Sequence, residues 1–316
     1  MRLKFGVGDF SGQRPPGSPV THAQLYKELL EQAEVIEMAG LDSMWISEHH
    51  FAEDGYMPAV LPIAAALVAR TKRIVVGTDR LAASLHSALR LAEDAVALDL
   101  LSGGRFVLGL SLCYRDEEFA GFGVDPTTDK RRLDELALFL RDAFHHISPP
   151  PHSPDGPLLM IAADGEDGAD RAARLADMLM VDPTEPWGAV DDAVARFDHA
   201  RGDARGGLVL FTYGGLSPHG PDAAWAAVAY GFRYMRHNYD RWMGREPTRD
   251  LPPAHYRVLL GTPDDVATQV MEYSRRYGDR VHVVLRCNYP GMDAAAVTNQ
   301  LRLWGSAAAK ARLLTN

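Results

Sequence analysis

The most informative stretch of the sequence reads Trp45-Ile46-Ser47-Glu48-His49-His50-Phe51. It follows an amphipathic helical pattern and closes a short apolar strand, so two imidazoles and a carboxylate come at the carboxyl end of a strand. In α/β proteins, catalytic and binding groups collect at that end of the strands. Histidine changes charge near neutral pH, so His49 and His50 are predicted to be catalytic. The alternative is a solvated histidine pair on a loop.

Short apolar segments alternate with amphipathic helical segments along the chain. The predicted strands are 3–7, 43–47, 73–78, 106–110, 158–162, 178–181, 208–212 and 280–285. The predicted helices are 21–38, 62–69, 88–101, 129–146, 168–176, 221–242, 262–277 and 293–309. This alternation is typical of parallel strands covered by helices. About eight strand–helix pairs predict one α/β domain over residues 1–316, a single (β/α)8 TIM barrel.

Other α/β architectures have less support. A doubly wound sheet that binds dinucleotides needs a Gly-x-Gly-x-x-Gly turn after its first strand, and the sequence has neither this turn nor a Walker loop. Residues 148–156 are rich in proline and are predicted to be a connector. Residues 183–206 are weakly patterned, and a shortened lid is the prediction for them.

Composition limits the class of partner and the compartment. The 316 residues are 47% hydrophobic, with a net charge of −9 and a mean hydropathy of −0.17. This acidic balance argues against a nucleic acid or an anionic membrane as partner. The two cysteines, Cys113 and Cys287, are too few for a disulfide framework. With no signal-peptide pattern and no run long enough to cross a membrane, a cytoplasmic protein is expected.

The helix predicted over 62–69 is apolar on most of its faces. One barrel covers only the inner face of such a helix, so a further surface must bury the rest. The sequence therefore predicts a dimer, formed either with a second copy or with a related chain. Burial under a long loop is the alternative.

Several stretches carry a resemblance to a known family. They are Ala39-Gly40-Leu41-Asp42-Ser43-Met44-Trp45-Ile46-Ser47-Glu48-His49-His50-Phe51, Thr71-Lys72-Arg73-Ile74-Val75-Val76-Gly77-Thr78, Leu98-Asp99-Leu100-Leu101-Ser102-Gly103-Gly104-Arg105-Phe106, Glu118-Phe119-Ala120-Gly121-Phe122-Gly123-Val124-Asp125 and Gly261-Thr262-Pro263-Asp264-Asp265-Val266. On the basis of these stretches, the chain resembles the bacterial luciferase-like flavin-dependent monooxygenase family. The similarity is dense through residue 140, patchy from 150 to 225 and clear again beyond.

The resemblance implies a luciferase-like barrel that binds a reduced flavin at the carboxyl ends of its strands. The flavin is usually reduced FMN and less often the deazaflavin F420, and with FMN it reacts with O2 to oxidise a small organic substrate. It also implies a separate flavin reductase as partner, dimer formation, and a role for His49 in binding or protonating the substrate. The cofactor-binding residues expected on this basis are Trp45, Thr78, Ser111, Tyr114 and Gly165.

The chain departs from the family pattern where the flavin phosphate is expected. Leu112 stands where many members have arginine, and the segment Ala163-Asp164-Gly165-Glu166-Asp167-Gly168 brings carboxylates where members have small or hydroxyl residues. Leucine cannot replace a charge-assisted bond to phosphate, and carboxylates repel it. Asp79 and Arg80 also stand where small or apolar residues are usual.

Two interpretations remain open from the sequence. In the first, reduced FMN is still used, held by other cations such as Arg115, Arg171 or Arg174. In the second, no flavin is bound, and the chain is a non-catalytic partner subunit or a flavin-independent catalyst.

A zinc hydrolase is the rival enzyme class. It needs three or four ligands at compatible spacing. His49 and His50 are adjacent and would point to opposite faces of a strand, and no His-x-His follows the first strand. No metal is therefore predicted.

Overall fold

The computed structural model describes residues 3–202, 204, 206–246 and 257–314. The strands are β1 (Lys4–Phe10), β2 (Ser43–Ile46), β3 (Val75–Thr78), β4 (Leu81–Ala82), β5 (Phe106–Ser111), β6 (Leu158–Ala162), β7 (Met178–Val181), β8 (Gly207–Leu216), β9 (Val258–Gly261) and β10 (Val281–Arg286). The helices are α1 (His22–Met38), α2 (Val60–Arg70), α3 (Ala88–Ser102), α4 (Asp116–Phe122), α5 (Asp129–His146), α6 (Gly168–Leu175), α7 (Trp187–Arg201), α8 (Pro221–Trp242), α9 (Pro263–Tyr277) and α10 (Ala294–Leu314).

The sheet closes on itself as a parallel barrel. Strands β1, β2, β3, β5, β6, β7, β8 and β10 pair in this order, and β10 returns to pair with β1. The two remaining strands are additions to the ring, with β4 beside β5 and β9 beside β8. The predicted TIM barrel is therefore confirmed.

The core has an inner and an outer part. Trp45, Met160, Phe211 and Val284 fill the inside of the barrel with their neighbours. A larger apolar cluster lies between the outside of the barrel and the helices. Because both faces of the strands are buried, they are continuous apolar runs rather than alternating ones, as parallel sheets require.

Helix starts follow local sequence signals. The Thr21 side chain accepts from the backbone of Gln24 while Gln24 caps Thr21 in return, which fixes the start of α1. Thr262 and Asp265 form the same arrangement at the start of α9, with Pro263 in its first turn. These caps place the helices that return the chain to the amino ends of the strands.

The prediction of a lid over 183–206 was wrong. Most of this segment is α7, which buries Val190, Val194 and Phe197 against the barrel. The large apolar residues of this stripe are few and are separated by alanine and charged residues, so its helical period is weak. Strand β9 was not predicted, and it lies beside the end of β8 rather than within the ring.

Helix α2 is fully buried along only part of its surface. Val60, Ala64 and Leu67 are buried, whereas Leu61 and Ile63 are half-buried and pack only partly on the core. The prediction of a dimer through this helix stays a prediction. Among the helices of the described residues, none is both long enough and apolar enough to cross a membrane.

Candidate active site

A cavity of about 540 Å³ opens at the carboxyl ends of the barrel strands. It is lined by Asp9, Ser47, His49, Tyr56, Arg80, Leu112, Cys113, Tyr114, Ala163, Asp164, Gly165, Asp182, Thr184, Glu185, Tyr213, Arg236, Tyr239, Met243 and Arg245. These residues come from the ends of most barrel strands, the loops that follow them, and α8 with its C-terminal end. The volume lies within the range of about 300–1,000 Å³ typical of sites for small molecules and cofactors.

His49 lies at the centre of a hydrogen-bonded series of three residues. Its Nδ1 is 2.9 Å from Oε1 of Glu118, and its Nε2 is 2.9 Å from the hydroxyl of Tyr114. A carboxylate can only accept, so Nδ1 carries the proton and the lone pair of Nε2 accepts from the tyrosine hydroxyl. The imidazole is thereby held in one tautomer, with its basic nitrogen on the side of Tyr114.

Burial sets the charge of His49. The ring is 8% exposed, and loss of solvent lowers its pKa below the ordinary value of 6.5, while the Glu118 carboxylate opposes this shift. Burial acts to raise the pKa of Glu118, but hydrogen bonds from His49 and from the His50 backbone N–H outweigh it and lower the pKa. The pair is therefore a neutral imidazole next to a carboxylate at neutral pH.

Aromatic rings surround His49. Its ring centroid is 4.7 Å from that of Tyr56, 5.3 Å from that of Tyr114 and 5.1 Å from that of Trp242. The guanidinium of Arg115 lies 4.4 Å from the Trp242 centroid. These contacts fix the imidazole plane and keep water from most of its surface.

His50 does not line the cavity. Its ring lies 4.6 Å from that of Phe122, and its Nε2 is 3.4 Å from Glu48. Its backbone N–H donates to Glu118 at 2.8 Å. The predicted pair of catalytic histidines is thus divided by the structure, with His49 facing the cavity and His50 supporting its surroundings.

The predicted cofactor-binding residues are also divided. Tyr114 and Gly165 line the cavity. Trp45 is fully buried inside the barrel, where its Nε1 donates to Ser43 at 2.7 Å. Ser111 is buried at the end of β5 and is not among the lining residues. The resemblance could not foresee this, because a residue at a strand end can point below the cavity floor.

Thr78 joins two strands instead of facing the cavity. Its hydroxyl donates to the carbonyl of Gly109 at 3.0 Å and accepts from the Gly109 N–H at 2.8 Å. We expect Thr78→Val to lower the free energy of unfolding by about 1–3 kcal/mol, because two buried backbone groups lose a partner. Urea denaturation measures this loss, and Thr268→Val, whose hydroxyl bond is exposed, is the control. Unchanged stability in Thr78→Val would contradict this role.

The cations named from the sequence are used elsewhere. Arg115 binds the His50 carbonyl and Glu118, and Arg171 binds Asp134 and Asp167. Arg174 lies 3.9 Å from Asp134. None of the three arginines is among the residues lining the cavity.

Arg80 contacts the acidic segment 163–168. It donates to Asp164 at 3.0 Å and to Asp182 at 2.9 Å. Asp164 also accepts from the backbone N–H of Leu112 at 3.4 Å. Of the carboxylates that the sequence places near an expected phosphate, Arg80 therefore compensates Asp164, whereas Asp167 pairs with Arg171 and Lys130. The guanidinium of Arg80 is itself already paired with Asp164 and Asp182.

Two further cations line the cavity and were not predicted. Arg236 is buried and pairs with Asp240 at 2.9 Å. Arg245 is exposed at the rim, and within the ranges the structure describes no carboxylate pairs with its guanidinium. No motif marks Arg245 in the sequence. Glu118, also missed, lies in a stretch that carries the family resemblance, so that resemblance held a signal for it.

Metal ligands are not grouped in the part of the chain that the structure covers. Within those ranges, no three or more His, Cys, Asp or Glu side chains lie close enough together to hold a metal ion.

Comparison with known proteins places this arrangement in a family. The model of the family described as "Luciferase-like monooxygenase" matches residues 3–280. This chain belongs to that family. A curated relative, 4-hydroxyprotoasukamycin monooxygenase of Streptomyces nodosus subsp. asukaensis, is 29% identical over 219 residues, which cover 63% of this chain and 58% of that protein. The alkanal monooxygenase alpha chain of Photorhabdus laumondii subsp. laumondii is 32% identical over 133 residues, covering 42% of this chain and 36% of that one.

Solved structures show the same luciferase-like fold. Monooxygenase RslO1 from Streptomyces bottropensis has a TM-score of 0.84 at 21% identity and covers 96% of this chain and 98% of its own. The oxygenating constituent of 3,6-diketocamphane monooxygenase from Pseudomonas putida, solved in complex with FMN, has a TM-score of 0.74 at 15% identity, covering 96% and 97%. An F420-dependent secondary alcohol dehydrogenase has a TM-score of 0.75 at 14% identity, covering 98% and 99%.

Proposed function

We propose that this luciferase-like chain is a monooxygenase that uses reduced FMN and O2 to oxidise a small organic molecule in the 540 Å³ cavity. The observation that carries the proposal is the neutral His49, held between Glu118 and Tyr114 at the cavity wall. A base of this kind is what a reaction that moves a proton to or from oxygen requires. A separate reductase would supply the flavin.

The residues present fit the two ends of a flavin unequally. The aromatic wall around His49 suits a planar ring. A phosphate needs uncompensated cations or N–H donors, and Asp164 and Asp182 already occupy the guanidinium of Arg80. Among the described residues that line the cavity, Arg245 is the cation for which the structure shows no carboxylate partner, and we propose that it binds the phosphate at the rim. The chemistry that a bound flavin would supply is its reaction with O2, because protein side chains do not perform this reaction.

The chain's own groups have separate roles in this proposal. His49 holds or accepts a proton at Nε2, next to the hydroxyl of Tyr114. Glu118 keeps the imidazole in its tautomer and stabilises it if it becomes charged. Tyr56 and Trp242 exclude water from the ring, which strengthens these interactions.

A second candidate function is that of a flavin-independent or non-catalytic chain, such as the partner subunit of a related chain. The observation that favours it is the ion-pair cluster of Arg80, Asp164 and Asp182 on the cavity wall. It places charge of both signs where the resemblance implies that small residues contact the flavin.

Anaerobic calorimetry with reduced FMN separates the two functions. Dissociation constants in the micromolar range support the oxygenase, and no binding up to millimolar flavin supports the flavin-independent chain. Addition of a zinc chelator is expected to leave the titration unchanged.

Replacement of Arg245 tests where the phosphate lies. We expect Arg245→Ala to weaken binding of reduced FMN by about tenfold or more, since a charge-assisted hydrogen bond contributes roughly 1.5–3 kcal/mol. Binding of reduced riboflavin, which has no phosphate, should not change. Arg131→Ala, at an exposed position on α5, is the matched control. Equal weakening for both flavins would contradict a phosphate contact.

A further inference from the structure

Asp79 is a buried carboxyl group without a donor. It follows β3 directly and is 0% exposed, and its backbone N–H donates to the Ile46 carbonyl at 3.0 Å. Within the described ranges, no N–H or O–H group reaches either oxygen of its side chain. A fully buried carboxylate with no donor is strongly disfavoured, so this group needs an explanation.

Asp9 lies against Asp79 and faces the cavity. It belongs to the end of β1 and has a φ of 52°, a left-handed conformation that residues other than glycine adopt at a cost. It lines the cavity, and its Oδ2 lies 3.2 Å from Nη1 of Arg286. The carboxyl of Asp79 is within hydrogen-bonding reach of Asp9. Two ionised carboxylates cannot form that bond, because neither has a proton to donate.

The charges around the pair leave one carboxyl group uncompensated. Arg286 from β10 faces both aspartates, and Arg80, next to Asp79, divides its charge between two other carboxylates. The phenols of Tyr56, Tyr213 and Tyr239 also face this region, and burial raises the pKa of each. Burial and the charge of Asp9 raise the pKa of Asp79 well above its ordinary value.

We propose that Asp9 and Asp79 share one proton at neutral pH and form a second acid–base site at the wall of the cavity, separate from His49. The inference does not depend on which cofactor is bound. Ionising both carboxyls at this distance is strongly disfavoured in a buried site, so at neutral pH the pair keeps one proton until a bound acceptor takes it.

Such a pair can give its proton to an oxygen atom of a molecule in the cavity. The O–H bond of the acid breaks as an O–H bond forms on the bound oxygen, and both aspartates are then charged and face Arg286. Arg286 is also 3.2 Å from the hydroxyl of Tyr239, which is 2.9 Å from that of Tyr56. The two hydroxyls therefore connect the aspartate pair, through Arg286, with Tyr56, whose ring contacts His49. The chemical class that would use this acid is a carbonyl, phenolate or hydroperoxide oxygen.

Infrared difference spectroscopy tests the shared proton directly. Near pH 7, we expect the folded wild-type protein to show the C=O stretch of a protonated carboxylic acid. This band should be lost in Asp79→Asn and in Asp9→Asn, and kept in Asp125→Asn, a control at an exposed position where hydrogen bonds lower the pKa of the carboxyl. Absence of the band in the wild type, or a band that persists in both variants of the pair, would overturn the proposal.

Exchange in D2O distinguishes an acid that serves the cavity from one that only stabilises the fold. We expect the band to shift at once when the folded protein is transferred to D2O, because Asp9 is in contact with the cavity. A shift that appears only after unfolding would overturn the acid–base role.

The pH dependence of stability gives an independent measurement. A group whose pKa is raised by folding contributes full stability at low pH, and this contribution is lost as pH rises through the folded pKa. This part of the wild-type stability should therefore be lost with rising pH, and it is measured as the difference in denaturation midpoint between the wild type and Asp79→Asn. Asp79→Asn should reduce that loss, because the amide is neutral at every pH. An identical slope in both proteins would overturn the shared proton.

Discussion

His49→Ala is expected to lower the turnover number by about 10²–10⁴-fold, the usual contribution of one acid–base residue. The imidazole is the group that joins Glu118 to Tyr114 at the cavity wall, and alanine cannot accept a proton in its place. The barrel should remain intact, because the ring packs at the strand ends and not in the core between helices and strands.

The pH profile of the wild type provides a second readout. Burial lowers the pKa of His49 below 6.5, so the neutral, accepting form persists into mildly acidic solution. The rate should decline only below the ordinary histidine pKa, and the acid limb should vanish in His49→Ala. Steady-state assays with a flavin reductase and an oxidisable substrate measure both effects.

His50→Gln is the matched control for His49→Ala. Its side chain contacts Glu48 and Phe122 outside the cavity, and Gln preserves the backbone N–H that donates to Glu118. We expect turnover close to that of the wild type. A large loss in His50→Gln together with normal turnover in His49→Ala would remove His49 from the mechanism.

Arg286→Ala is expected to lower the free energy of unfolding by about 3–5 kcal/mol, the cost of leaving a buried charge without its partner. The guanidinium is 1% exposed and contacts Asp9, Ser11 and the hydroxyl of Tyr239. Its removal leaves Asp9 and Asp79 facing each other with little positive charge to compensate them.

The size of this loss should depend on pH. At low pH, both carboxyls become neutral and need no cation, so the loss should shrink. As pH rises and the shared proton leaves, it should grow. Chemical denaturation at several pH values measures this trend. Arg131→Ala, whose pair with Glu135 is exposed, should change stability by less than about 1 kcal/mol at every pH. A pH-independent loss in Arg286→Ala would contradict the role assigned to its charge.

The fold was largely predictable from local patterns. The caps at Thr21 and Thr262 and the apolar strand runs each carry a signal within a few residues. Helix α7 was not predicted because its buried residues Val190, Val194 and Phe197 are few and are separated by alanine and charged residues, which weakens the helical period. Strand β9 was not predicted because it is a short strand added beside β8, outside the strand–helix repeat that identifies a barrel.

The site was predictable only in part. His49 and Tyr114 follow strands, and the cavity brings them within hydrogen-bonding distance. The direction of a side chain at a strand end depends on the register of the strand. The sequence alone therefore could not show that Thr78 bonds to Gly109 and does not line the cavity. The ion pairs of Arg80 and the contact between Asp9 and Asp79 join distant segments, and no pattern along the chain records such contacts.

Labelling with ¹⁸O2 tests the central claim most directly. The protein is supplied with reduced FMN, ¹⁸O2 and a panel of small aldehydes, ketones and phenols, and products are analysed by mass spectrometry. We expect a product that gains a single ¹⁸O atom, requires reduced FMN and is lost in His49→Ala. Identical, unlabelled mixtures from the wild type and His49→Ala would contradict the claim.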